Sequence, residues 1–355
     1  MLRVMAQRGA SDLHLSSNVP PMMRVHGEIV RFDESLGALT PENLRALLYP
    51  LMPAHNRAEF ERRHDTDFAH EVSGVSRFRV NMFADRLGPG AVFRRIPFEI
   101  VPVERLGLPA EVLELCELNR GLVLVTGPTG SGKSTTLASL LDRINANRDD
   151  HILTIEDPIE FVHHDKKCLV NQREVHVHTD SFRNALRAAL REDPDVVLVG
   201  EMRDLETVEI AIETAETGHL VFGTLHTNTA PSTVDRMIDQ FPHERQSQIR
   251  AMLAESLKGV IAQTLCKKIG GGRVPAFEVL LGTPAVSNLI REGKTFQLYG
   301  TMQSSRGAGM ITLGESLTDL VIRGVIEPKE AYLKAVNKAD LRLLFTNAGI
   351  TIPEL

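Results

Sequence analysis

Gly121-Leu-Val-Leu-Val-Thr-Gly-Pro-Thr-Gly-Ser-Gly-Lys-Ser-Thr135 is the stretch whose reading decides the fold. Its first six residues form a short apolar run without alternation, as in a strand buried on both faces of a parallel sheet. Gly127 to Ser134 is a complete G-x-x-x-x-G-K-S, and Lys133 opens the predicted helix KSTTLASLLDRINAN. Strand, glycine-rich loop and helix in that order define a P-loop. The loop Gly127, Pro128, Thr129, Gly130, Ser131 and Gly132 can curl so that successive N–H groups point at phosphate oxygens. The helix N-terminus adds its partial positive charge. Lys133 then reaches the β and γ phosphates, the Ser134 hydroxyl ligates Mg²⁺, and Thr135 completes the nucleotide-contacting set.

Further along the chain the same type of strand recurs at HILTIE (151–156), DVVLVG (195–200) and HLVFGT (219–224). Helical patterns at 181–192 and 204–218 lie between them. The result is an open α/β sheet, which binds its ligands beyond the carboxyl ends of the strands. After Ala254 the pattern reads as largely helical, with a loop at Gly270–Val274 and a flexible connection over 300–309. Residues 1–96 read instead as a small α+β domain. Pro21 to Val30 suggests two strands about a His26-Gly27 turn. Thr40, Pro41 and Asn43 mark a helix start as N-cap, N1 and N3. Ser76 begins a half-buried strand, and a Gly88-Pro-Gly90 turn leads to its hairpin mate, AVFRRI. The proline-bracketed segment 97–102 is the expected linker, leaving 103–355 as the second domain.

Composition narrows the function classes. The 355 residues are 43% hydrophobic and 24% charged, as in a soluble globular protein. Aromatics are only 5%, with no Trp, which predicts an aliphatic, Met-rich core and few stacking platforms for single-stranded nucleic acid. Forty Lys and Arg against 46 Asp and Glu give a formal charge of −6, which argues against a nucleic-acid partner. Cys116, Cys168 and Cys266 form no CxxC pair, so neither zinc nor disulfides are signalled and a reduced, cytoplasmic protein is expected. No run of about 18 apolar residues predicts a membrane span.

Acids and histidines cluster after the strands. Asp195-Val-Val-Leu-Val-Gly-Glu201 reads as a Walker B element with Gly200 where many P-loop proteins place Asp. Glu201 is then the candidate for Mg²⁺ or water positioning. Glu156, Asp157 and Glu160 surround Pro158; three carboxylates beside a phosphate pocket would repel substrate unless they hold metal or activate water. Their spacing does not say which is the base. His219 and His226 bracket a predicted strand and are candidates for sensing the γ-phosphate. His163, His164, His176 and His178 read as solvated surface. Arg77, Arg79, Arg94 and Arg95 decorate two strands of the first domain, where an arginine could complete an open P-loop site from a neighbouring domain or subunit.

Together these segments resemble the type II/type IV secretion ATPase superfamily, and within it the PilT-type motors that retract type IV pili. Ala10–Ser16 and Pro20–Gly27 are similar to its N-terminal signature, with Met1 falling inside the family's first helix. Arg77–Asn81 and Ala91–Pro97 resemble its arginine-bearing strands. Gly127–Thr136, Ile155–Phe161, Val196–Glu201 and Gly218–Asn228 resemble its Walker A, Asp box, Walker B and His box. The resemblance implies a PAS-like domain before a RecA-like ATPase core, using ATP and Mg²⁺ in a homohexameric ring. It implies Glu160 as general base with Glu156 second, Glu201 acting through Mg²⁺, and His219 and His226 coupling phosphate state to domain position. Arg79, Arg94, Arg191 and Arg236 are implied to make contacts that change with nucleotide. Implied partners are an inner-membrane platform protein and, only indirectly, pilin, placing the protein in the cytoplasm at that membrane. Retraction is favoured over an accessory or assembly role because no tetracysteine motif is present. Ala285–Gly293 also resembles a segment tied to retraction, with Ser287 where the family usually shows Arg. Leu289 and Ile290 in it either pack the subunit or dock a partner.

Overall fold

A computed structural model describes residues 1–25, 27–96 and 100–351. His26 of the expected turn and Pro97, Phe98 and Glu99 of the expected linker lie outside them. The chain divides into two compact units, Met1–Glu99 with Pro158–Val162, and Ile100–Asp157 with His163–Leu355.

In the first unit β1 (Asp12–Ser16), β2 (Met22–Val25), β3 (Glu28–Arg31), β4 (Asp65–Val72), β5 (Ser76–Asp85) and β6 (Gly88–Ile96) form one antiparallel sheet. Its order is β3-β2-β1-β6-β5-β4. The period of two in β5 buries Phe78, Val80 and Met82 against Leu44 and Leu48 of the helix Pro41–Leu48. That helix starts as its sequence indicates: Asn43 N–H donates to Thr40 Oγ1 at 3.2 Å. Gly88-Pro-Gly90 is not the turn. Asp85 makes it by accepting from the N–H groups of Leu87 and Gly88 at 2.7 and 3.1 Å, and β6 begins at Gly88.

The second unit is a seven-stranded sheet: β7 (Gly121–Thr126), β8 (His151–Glu156), β9 (Leu169–Glu174), β10 (Val196–Val199), β11 (Leu220–Leu225), β12 (Leu257–Lys267) and β13 (Arg273–Leu281). The order is β13-β12-β7-β11-β10-β8-β9, parallel throughout except for β13 at one edge. Leu122 and Leu124 of β7 enter one hydrophobic cluster, Val123 and Val125 the other. Both faces are covered, which is why the strand sequence is apolar without alternation. The core is aliphatic with Met202, Met237, Met302 and Met310 among its fillers.

Two sequence expectations fail here. The chain after Ala254 is not largely helical at once: β12 and β13 form an antiparallel hairpin turning at Gly270, Gly271 and Gly272, with φ of 83°, 103° and 79°. Both strands are mostly buried, so neither shows a period of two. Residues 300–309 are not a flexible connection either. Leu298–Ser304 is a helix held by buried Leu298 and Met302, and Arg306–Ala308 is a 3₁₀ turn.

The hairpin carries a buried acid. Glu278 on β13 is 1% exposed and accepts from the N–H of Ala230 at 2.7 Å and of Leu313 at 3.3 Å. Each is the first residue of a helix, Ala230–Asp239 and Leu313–Ile322, whose leading N–H groups have no partner within the helix. Burial pushes the carboxyl above the usual range, against the pull of the two N–H donors. A raised folded-state pKa gives stability present below the unfolded value and lost as pH rises through the folded one. Glu278→Gln should therefore gain stability relative to wild type as pH rises from 5 to 8. Glu278→Ala should lose about 1–3 kcal/mol for each stranded N–H. Urea denaturation across that pH range checks both; a flat Gln-minus-wild-type difference would refute the assignment.

Candidate nucleotide-binding site

The P-loop takes its shape from glycine. Gly127, Gly130 and Gly132 adopt φ of 141°, 77° and 93°, conformations that side chains disfavour. Lys133 begins the helix Lys133–Asn147, and its ammonium donates back to the carbonyls of Gly127 (2.8 Å) and Pro128 (3.2 Å). The first N–H groups of this helix have no helical acceptor and favour an anion.

Strand register then fixes what stands beside the loop. Thr126 of β7 pairs with Leu225 of β11, Gly223 with Val199 of β10, and Val199 with Ile155 of β8. Gly127, His226, Glu201 and Glu156 thus leave the sheet at the same carboxyl edge. At a strand spacing of about 4.8 Å, Glu201 is two strands and Glu156 three strands from the loop, roughly 10 and 14 Å.

Glu201 Oε1 takes both its partners, Arg203 Nε at 2.5 Å and His226 Nε2 at 2.7 Å. Burial alone would raise this carboxyl, but the Arg203 and His226 hydrogen bonds outweigh it and hold it below the usual carboxylate range. Gly200 is constrained by Glu156: a Cβ there would lie 3.0 Å from the Ile155 oxygen and 3.2 Å from Glu156 Cα. Glu156 Oε1 accepts from Thr154 Oγ1 at 2.7 Å and Gln172 Nε2 at 3.1 Å. Asp157 is exposed. Glu160 is half-buried within Pro158–Val162, which belongs to the first unit.

The two His-box histidines do not meet. His219 precedes β11, its Nδ1 lies 3.1 Å from the Thr214 oxygen, and its own carbonyl accepts from Gly121 N–H. A six-residue strand spans about 20 Å, so His219 sits at the amino edge while His226 joins Glu201. Arg191 is also exposed, just past the helix Phe182–Ala189 on the approach to the amino end of β10, and Arg236 is exposed on Ala230–Asp239. In the first unit Arg79 and Arg94 face each other across β5 and β6. Arg79 pairs with Asp67 at 3.7 Å, and Arg94 donates to the buried Asp12 at 2.8 Å.

His163 is a correction. Burial pushes its ring down to about 4, so it is neutral at pH 7 and not a solvated surface group. Its backbone N–H donates to Gln172 Oε1 at 2.8 Å. His164, His176 and His178 are exposed, as expected, and His178 Nδ1 accepts from Glu174 N–H at 2.9 Å.

Sequence reading missed Arg203, Gln172 and Gln263. Arg203 stands two residues after Glu201 and could have been noticed; each glutamine is a polar residue on a strand whose partner only folding supplies. Gln263 of β12 bonds the P-loop directly, donating to Ser131 O and accepting from Thr136 Oγ1.

Arg203 gives a test with a sign. A depressed folded pKa stabilises above the unfolded value and loses that as pH falls through the folded one. Arg203→Ala should cost about 0.5–1 kcal/mol at pH 7, modest because Arg203 is 73% exposed. The deficit should close as pH falls below the ordinary glutamate range. Melting curves at pH 7 and at about pH 2.5, well below the ordinary glutamate value, check this; an equal deficit at both would assign it to packing.

With this geometry in place, similarity to known proteins becomes informative. The family model described as type II/IV secretion system protein matches residues 1–272. The chain is 56% identical over 335 residues to the type IV pilus retractation ATPase PilT of Pseudomonas aeruginosa, covering 94% of this chain and 97% of that one. It is 50% identical over 322 residues to a twitching motility protein of Neisseria gonorrhoeae, covering 90% and 86%. The crystal structure of the pilus retraction motor PilT with bound ADP is similar at a TM-score of 0.90 and 49% identity, over 97% of this chain and 99% of that chain. A nucleotide-binding P-loop, an acid-lined carboxyl edge and matches of this extent lead to one conclusion: the chain belongs to the type II/IV secretion system protein family and, within it, to the PilT-type ATPases.

Proposed function

We propose that this chain is an Mg²⁺-dependent ATPase that drives retraction of a type IV pilus. The observation that carries the chemistry is the common carboxyl edge, where Glu201, His226 and Glu156 stand in register with the P-loop. A phosphate bound by the loop's N–H groups and Lys133 would face ionised carboxylates, an arrangement stable only with a cation or a polarised water between them. Ser134 and Glu201 supply an oxygen set suited to Mg²⁺. Glu201 Oε1 is occupied by Arg203 and His226, leaving Oε2 for metal or water. Mg²⁺ supplies charge neutralisation on the phosphates. Glu160 is the proposed general base, with Glu156 second. His226 is placed to report the state of Glu201; His219, at the opposite edge, is not given that role.

The reading extends to the assembly. Residues 1–96 form the proposed N-terminal domain, 97–102 the linker and 103–355 the ATPase domain. Arg79, Arg94, Arg191 and Arg236 are exposed or paired only by ion pairs, so each could offer charge to a site completed by a neighbouring copy in a homohexamer. A platform protein of the pilus machine is the proposed partner, at the cytoplasmic side of the inner membrane. Among the described residues no helix is long and apolar enough to cross a membrane.

The segment tied to retraction is a helix, Pro284–Arg291, with Val286 and Ile290 each 1% exposed. Ile290 packs the subunit, so Ile290→Ala reads stability, at about 2–5 kcal/mol. A docking role belongs to the exposed Asn288 and Arg291, joined by a 3.0 Å hydrogen bond.

Lys133→Ala should abolish ATP turnover, and substantial residual turnover would refute the site. Glu160→Gln and Glu201→Gln should bind ATP and lose at least ~100-fold in rate; wild-type turnover in both would remove their roles. In cells, deletion of the gene should leave surface pili without twitching. Asn288→Ala with Arg291→Glu should keep ATPase activity and reproduce that phenotype. Cells that lose their pili would point to an assembly motor instead.

A further inference from the structure

Gln263 has no part in the chemistry described so far, yet both of its polar side-chain atoms bond the P-loop motif. It sits in β12 at 4% exposure. An amide in a buried strand is costly unless both its polar atoms find partners. Both do, on one motif: Nε2 donates to the Ser131 carbonyl at 2.7 Å, and Oε1 accepts from Thr136 Oγ1 at 2.8 Å. These two residues bracket Gly132-Lys133-Ser134-Thr135, so a single amide spans the junction between loop and helix.

The loop glycines fit this contact from behind. A Cβ at Gly127 would lie 2.3 Å from the Gln263 backbone oxygen, and one at Gly132 would lie 3.1 Å from Gln263 Nε2. Substitution at 127 would collide with β12 before any phosphate was involved.

Peptide geometry says what the grip does. In a planar trans peptide the carbonyl and the following N–H point in opposite directions. Holding the Ser131 oxygen against Gln263 therefore turns the Gly132 N–H away from β12. The second bond fixes the first turn of the helix through Thr136, so loop and helix N-terminus are held as one rigid cradle. We propose that Gln263 is a positioning residue for nucleotide binding, presetting the P-loop so that its N–H donors are aimed before the triphosphate arrives. Binding then need not order the loop, a cost that otherwise subtracts from affinity. This inference rests on the P-loop being the nucleotide site.

The test uses the full-length protein, a fluorescent mant-ATP probe and steady-state ATPase kinetics. Gln263→Met keeps an unbranched side chain and removes both hydrogen bonds; Thr136→Val removes one and keeps the β-branched shape at 136. Gln263→Met should raise the Kd for mant-ATP and the KM for ATP about tenfold, the scale of two modest hydrogen bonds, with kcat within about twofold. Thr136→Val should raise Kd by a smaller factor. A purely structural role would lower the melting temperature and leave Kd and KM of the folded protein unchanged, and that result overturns the proposal. If Gln263→Met does not fold, Thr136→Val decides alone, with a wild-type Kd counting against. Lys133→Ala separates the two levels. If it binds mant-ATP with wild-type affinity, the nucleotide-site reading fails; if its binding is weakened while Gln263→Met binds like wild type, only the positioning role fails.

Discussion

Burial of β7 on both faces is the constraint from which the ATPase unit follows. A strand packed between two hydrophobic layers can present chemistry only at its ends. Because β7, β11, β10 and β8 run parallel in tight register, their carboxyl ends coincide. A glycine-rich loop, a histidine and two glutamates therefore arrive at one edge from four distant segments. The frame is hydrophobic; the site is what the frame cannot cover.

Polar groups near that frame are held by specific partners. Glu201 is kept ionised by Arg203 and His226, Glu156 is oriented by Thr154 and Gln172, and Gln263 spends both amide atoms on the P-loop. Partly buried carboxylates so arranged are fixed in direction, which is what the proposed placing of a metal or a water by Glu201 and Glu156 requires. Glu278 is the complementary case. It is buried in β13, two strands from Thr126, and burial pushes its carboxyl up while it satisfies two helix N-termini.

The hairpin of β12 and β13 links these roles. Gln263 on one strand grips the P-loop, and Glu278 on the other, paired with Ala262, grips the helices at Ala230 and Leu313. β13 then runs into Pro284–Arg291, whose exposed face carries Asn288 and Arg291. Nucleotide contacts and the proposed partner-facing surface thus hang on one continuous pair of strands.

Much of this was legible in the sequence because it depends on local order. The P-loop needs only strand, glycines and helix in succession, and GLVLVT and KSTTLASLLDRINAN fold over the residues expected. HILTIE and the Thr40 cap were readable for the same reason: period, apolar run and capping chemistry are properties of neighbours. The hairpin after Ala254 was not, since β12 follows directly on the helix ending at Ser256 and mixes polar with apolar residues, leaving neither a turn nor a clean apolar run to mark it as a strand. Nor was the division between His219 and His226, seven residues apart in sequence and at opposite edges of the sheet. The partial burial of His163, the burial of Ile290, the pairing of Arg203 with Glu201 and the two hydrogen bonds of Gln263 to the P-loop were also decided by tertiary structure. Each is a contact or an exclusion of water that exists only once remote segments pack, and no local pattern encodes where a buried polar atom will find its partner.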